Sequence, residues 1–194
     1  MSWARLLLIA AIVMAAPSAM HAQAEFERYG NAAFVRFDDG MVSGVYVFVM
    51  SEGGVVSSID ESGIVFLQRD PALVWACVAG SVQAVYRYDT FLLGQDGQIQ
   101  VRYRIGDDTV SPVESWAIMV YGASDAVDDM FGGGATSASM PAAAARLIEE
   151  AAGSGARVML RATDPVDGET LTDAFTLDGL ADALDRLRGA CGGV

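Results

Sequence analysis

The 194-residue chain contains no lysine; its twelve basic residues are all arginine. Its single histidine, His21, lies in an N-terminal segment expected to be removed. A mature chain without imidazole or side-chain amine rules out Ser-His-Asp and Cys-His nucleophilic machinery. It also rules out histidine metal sites, Schiff-base chemistry and the phosphate-loop lysine. Only two cysteines are present. Beyond the N-terminus no apolar run approaches the roughly 18 residues of a membrane span. Carboxylates, hydroxyls and arginine remain, so the chain reads as a binding protein rather than an enzyme, with no cofactor. The net charge of −13 argues against nucleic acid and anionic membranes as partners, because both attract basic patches.

Met1 to Trp3 precede the lone charge of Arg5, and an apolar run follows from Leu6 to Ala16. Pro17 and Ser18 break it, and Ala22-Gln23-Ala24 is a small-x-small cleavage pattern. Residues 1–24 therefore read as a signal peptide and 25–194 as a single β-rich exported domain, soluble in the periplasm or secreted. The competing reading, an N-terminal anchor helix, needs a longer run. Export places Cys77 and Cys191 in an oxidising compartment, where one pair of cysteines predicts one disulfide. Two buried free thiols are the alternative.

Residues 33–38, 44–51, 63–69, 72–79, 82–93, 99–105, 113–121, 156–163 and 170–177 read as strands. Ile99, Val101, Tyr103 and Ile105 face one way, and Gln100, Arg102 and Arg104 the other, as in a half-buried antiparallel strand. Residues 113–121 are apolar on both faces and suggest a central covered strand. Gly53-Gly54 breaks the second strand, and Gly132–Ser139 reads as an exposed, mobile link. Ser139 reads as the cap of a helix over 140–152 with Pro141 in its first turn. A last helix spans about 178–189, with Leu177, Leu180, Leu184, Leu187 and Cys191 on one stripe and the pair Asp182 and Arg186 on the other side. Cys77 shares a face with Leu73 and Trp75, so a terminal helix packed on that face brings the two sulfurs together. The expected architecture is α+β. It is mainly antiparallel and sandwich-like, with one helix before and one after a C-terminal hairpin, the terminal helix packed on the sheet.

Three patches carry a resemblance. The first is Leu73-Val74-Trp75-Ala76-Cys77 with Val85-Tyr86. The second is Ile99 to Asp108 with Ser115-Trp116. The third is Phe175-Thr176-Leu177-Asp178-Gly179-Leu180 with Leu184, Leu187, Arg188 and Cys191. Over residues 70–191 the chain resembles the VasI (EvfG) family of type VI secretion-associated exported proteins. Its ending also resembles the invasion-associated locus B family. The resemblance implies an envelope or secretion-associated accessory role and supplies no catalytic residue.

Arg102 and Arg104, with Asp107, Asp108 and Glu114 near in sequence and Trp116 beyond, are the candidate binding patch for carboxylates or peptides. The plainer reading is a solvated strand face with Trp116 in the core. Asp125, Asp128 and Asp129 beside the glycine-rich link could ligate calcium, although their spacing is not that of an EF-hand. A carboxylate-based hydrolase or a calcium-dependent lectin-like domain needs a deep cleft with convergent acids; a binding module does not.

Overall fold

Strands with one apolar face are stable only when a second layer covers that face, and here one long sheet curls over itself with two helices packed against its core side. The computed structural model describes residues 23–38, 43–52, 54–60, 63–69, 71–88, 90, 92, 94–119, 137–166 and 168–192. In chain order its strands begin with β1 (Gln23–Tyr29), β2 (Ala32–Asp38), β3 (Ser43–Met50), β4 (Gly54–Asp60), β5 (Gly63–Arg69) and β6 (Ala72–Val78). They continue with β7 (Ser81–Arg87), β8 (Gln98–Ile105), β9 (Glu114–Met119), β10 (Ser137–Ser139), β11 (Arg157–Thr163) and β12 (Thr170–Thr176). Helix α1 (Ala142–Ala152) precedes β11, and α2 (Leu180–Cys191) follows β12.

Ten strands form one antiparallel sheet in the order β1-β2-β3-β6-β7-β10-β9-β8-β11-β12, and β4 pairs with β5 as a separate hairpin. Leu73 and Trp75 of β6, Trp116 of β9, Leu160 of β11 and Phe175 of β12 share one core with the apolar faces of both helices. Tyr86 of β7 meets Trp116 and Phe175 edge-on, at ring separations of 6.4 and 6.2 Å. The contact with Phe175 sets β12, at one end of the sheet, against β7 in its middle, and the antiparallel α+β architecture is the expected one.

Cys77 on β6 and Cys191 at the end of α2 form the expected disulfide, with their Cα atoms 5.5 Å apart. Trp75 Nε1 donates to Glu149 of α1 at 2.9 Å, and Arg188 of α2 donates to the other oxygen of Glu149 at 2.6 Å. Both helices are thus tied to the strand that carries the bridge.

Several expectations need correction. The strand expected over 82–93 ends at Arg87. β9 is not covered on both sides: Trp116 is buried while its neighbours Ser115 and Ala117 are exposed. β3 ends at Met50, before the expected break, but Gly54 opens β4, a strand not expected from the sequence. Ser137–Ser139, expected in a mobile link, is a strand inserted between β7 and β9; the rest of that link lies outside the described residues. The residue before α1 is Pro141, with no side-chain cap, and Ser139 belongs to β10. Arg186 does not stand in solvent beside Asp182. It lies 4.6 Å from the centre of the Phe34 ring and donates to Glu25 and Glu27 of β1. The expected cleavage point after Ala24 falls inside β1, and the pairs from Glu25–Arg36 to Tyr29–Ala32 all lie beyond it.

Candidate anion-binding face

β8 alternates as its sequence requires. Ile99, Val101 and Tyr103 are buried, and Gln100, Arg102 and Arg104 are exposed. The strand beside it, β11, comes from more than fifty residues further along the chain. Its register sets Arg161 opposite Arg102, Met159 opposite Arg104 and Thr163 opposite Gln100. β12 continues these rows with Thr172 beside Arg161 and Thr170 beside Thr163. Three guanidinium groups therefore share one outer face. Among the described residues none of the three pairs with a carboxylate. Arg104 Nη2 lies 3.1 Å from the sulfur of Met159.

Two shallow depressions meet at Arg102 and Arg161. One, of about 270 Å³, is lined by Gln100, Val113 and Thr163 as well. The other, of about 370 Å³, adds Arg104, Val110, Met159 and Thr172. The wall carrying Val110 and Val113 is held by Ser111, whose N–H donates to the Tyr103 carbonyl at 2.8 Å and whose Oγ accepts from the Tyr103 N–H at 2.9 Å. No acid lines either depression.

The structure divides the patch expected from sequence. Arg102 and Arg104 stand together on the outer face. Asp107 and Asp108 are exposed on the turn after β8, where the Asp108 N–H donates to the Ile105 carbonyl at 3.0 Å. Trp116 is fully buried on the other side of the sheet, because β9 places it opposite Ile99 on the core face. Glu114 also turns inward, accepting from Trp116 Nε1 at 3.0 Å and from the Tyr103 hydroxyl at 3.2 Å. Burial, and then the Glu114 charge, raise the Tyr103 phenol above its ordinary pKa. Arg161 was missed by sequence reading. Its alternation with Arg157 and Met159 was visible, but the pairing of β11 with β8 was not.

Three other carboxylates are held in hydrogen bonds. Asp173 is 1% exposed and accepts from the Tyr86 hydroxyl. Asp164 is 0% exposed and accepts from the N–H groups of Gly94 at 3.0 Å and Val166 at 2.8 Å. Burial and the nearby Asp164 charge raise the Tyr88 phenol. A third depression, of about 350 Å³, is lined by Phe26, Phe48, Met50 and Glu52 among others. Glu52 is clasped there by Arg157, at 2.9 and 2.8 Å, and by Thr176. Arg157 first, and then Thr176, hold this carboxyl below its ordinary pKa. Asp125, Asp128 and Asp129 lie outside the described residues. Among the described residues no group of three or more His, Cys, Asp or Glu is placed to hold a metal, and no helix is long and apolar enough to cross a membrane.

Fold and face together define an α+β domain with a curled antiparallel sheet, a disulfide-anchored terminal helix and an exposed basic strand face. No family model matches the chain, and no curated protein matches it. Among solved structures the chain is similar to invasion associated protein B from Bartonella henselae. The TM-score is 0.48 at 15% identity, over 86% of this chain and 96% of that one. That name is the one carried by the second sequence resemblance; none of the comparisons carries the name VasI.

Proposed function

We propose that this chain is an exported, non-catalytic binding protein of the cell envelope, and that Arg102, Arg104 and Arg161 form the face that holds its partner. One observation carries the reading: three arginines with no acidic partner among the described residues gather on one exposed face of a chain with net charge −13. By contrast, Arg36, Arg146, Arg157, Arg186 and Arg188 each face a carboxylate. Like charges directly opposite on neighbouring strands destabilise a sheet, so the Arg102–Arg161 pair is a local cost that partner binding would offset.

Binding without catalysis is supported by where the acids lie. Asp164 and Asp173 are buried in hydrogen bonds, and Glu52 is held by Arg157 and Thr176. The disulfide and the apolar N-terminal run support an exported, periplasmic setting. The ending shared by both resembled families has a structural task here. Phe175 and Leu177 fill the core, Gly179 makes the turn and Cys191 forms the bridge. We rank an invasion-associated-locus-B-like periplasmic protein ahead of a VasI-like secretion accessory. The stretch that favours VasI, Arg102 to Asp108, does not act as one patch.

The test is capture from envelope extract by the mature protein and by its Arg102→Ala/Arg104→Ala variant. These exposed changes leave the core face of β8 intact and should alter stability by within about 0.5 kcal/mol. The variant should lose partners that the parent retains, and added salt should weaken the parent's capture. An identical set of captured proteins from both would refute the reading.

A further inference from the structure

We infer that the partner presented to this face is an extended, acidic peptide segment with carboxylates at alternate positions, laid along β8. The inference rests on the reading above that the arginine face is the binding surface. It adds the chemistry and the spacing of what is bound.

Spacing is the first argument. Arg102 and Arg104 are two residues apart on one strand, so their Cα atoms are about 6.6–6.8 Å apart. Alternate side chains on any extended segment have the same repeat. An acid-x-acid sequence in extended form therefore offers one carboxylate to each arginine, whereas adjacent acids point to opposite sides. Arg161, directly across from Arg102, stands about 4.5–5.5 Å away at its Cα. It closes on the first carboxylate from the other side. Arginine suits this task because its fixed fork of donors matches a carboxylate.

The surroundings point to a peptide rather than a bare ion. Val110 and Val113 are exposed, and with Met159 they flank the guanidinium groups. They give apolar contact to the residues between and beside the acids. Gln100, Thr163 and Thr172 extend the lining with neutral hydrogen-bonding groups. The charge balance limits the length of the partner. Screening confines the attraction of three arginines to about 8 Å, and a long polyanion would run onto the acidic remainder of a chain of net charge −13. A short acidic segment fits within the basic area; an anionic bilayer or a nucleic acid does not.

The test uses mature, oxidised protein and fluorescently labelled peptides of one composition. One has two aspartates separated by valine, the second has the aspartates adjacent, and the third carries asparagine for aspartate. Anisotropy should give binding of the alternating peptide about tenfold tighter than the adjacent one and no measurable binding of the third. The tenfold step is what one charge-assisted contact contributes. Arg161→Gln should lose about tenfold for the alternating peptide while keeping the parent's circular dichroism and an unfolding midpoint no lower than the parent's. Equal affinity for the two spacings, an unaffected Arg161→Gln variant, or preferential binding to vesicles containing phosphatidylglycerol would each overturn the inference. Absence of peptide binding by a protein that captures envelope partners through Arg102 and Arg104 would overturn it too, leaving the broader reading standing. Capture that does not depend on these arginines would remove both.

Discussion

Replacing Cys77 and Cys191 together by alanine should lower the unfolding free energy by about 5–6 kcal/mol. The bridge joins residues separated by 114 positions. In the chain-entropy model a loop of that length restricts the unfolded chain by about 16 cal/mol/K, or about 4.8 kcal/mol at room temperature. The native contribution is smaller. Leu180, Ala183, Leu184, Leu187 and Ala190 keep α2 buried against the sheet whether or not the bridge exists. Loss of the buried Cys191 sulfur adds about 0.8 kcal/mol, the worth of a methylene. Because domains are commonly stable by only about 5–15 kcal/mol, the variant should unfold at much lower denaturant. Urea unfolding followed by tryptophan fluorescence and circular dichroism measures both the midpoint and the slope. The slope should steepen, since an uncrosslinked denatured chain exposes more surface. A loss below about 1 kcal/mol would show that the bridge does not restrict the unfolded ensemble as argued. A large loss with an unchanged slope would place the effect in the native state instead.

Three further outcomes follow from other parts of the fold. Gly179→Ala should cost about 2–4 kcal/mol in urea unfolding. Its φ is +76°, and an added Cβ would lie 2.0 Å from the Tyr29 carbonyl oxygen, where Asn31 N–H also bonds the Asp178 carbonyl at 3.0 Å. Gly189→Ala in α2 meets nothing within 4 Å and should instead stabilise by up to about 1 kcal/mol; similar effects at the two sites would refute the steric argument. Glu52→Gln should be less stable than the parent at neutral pH, with the gap closing in acid. Folding lowers the Glu52 pKa below 4.5, so its contribution is complete above that value and is lost as pH falls through the lowered native one. A gap independent of pH would show that the Arg157 clasp is not the cause. Arg161→Thr should raise the stability of the unliganded protein by about 0.2–1 kcal/mol by removing a like charge from opposite Arg102. The gain should shrink with salt, and a loss would mean that the arginines support one another structurally.

Much of the fold was legible in residue order because its causes are local. Alternation from Ile99 to Ile105 marked a strand with one buried face, and leucines at helical spacing from Leu180 to Leu187 marked the buried stripe of α2. With a single cysteine pair, the bridge had only one connectivity. β10 was not legible, because Ser137, Ala138 and Ser139 carry no strand signal of their own. Hydrogen bonds from β7 on one side and β9 on the other make them a strand. The plainer reading of the patch, with Arg102 on the outer face and Trp116 in the core, is the one the pleat of the sheet produces.

The sequence by itself determined the inventory of chemistry, with arginine as the sole cation and no imidazole after residue 21. It also determined the inward and outward faces of individual strands, because side chains alternate whatever their neighbours are. Only the tertiary structure decided which strands lie side by side. β8 pairs with β11 across more than fifty residues of chain. That choice is made by the shared core, which no local periodicity encodes. The same pairing brought Arg161 beside Arg102; the pairing of β8 with β9 turned Glu114 toward the core to meet Tyr103 and Trp116, and packing of β12 against β7 buried Asp173 beside Tyr86. The candidate site is thus a property of the register between distant segments.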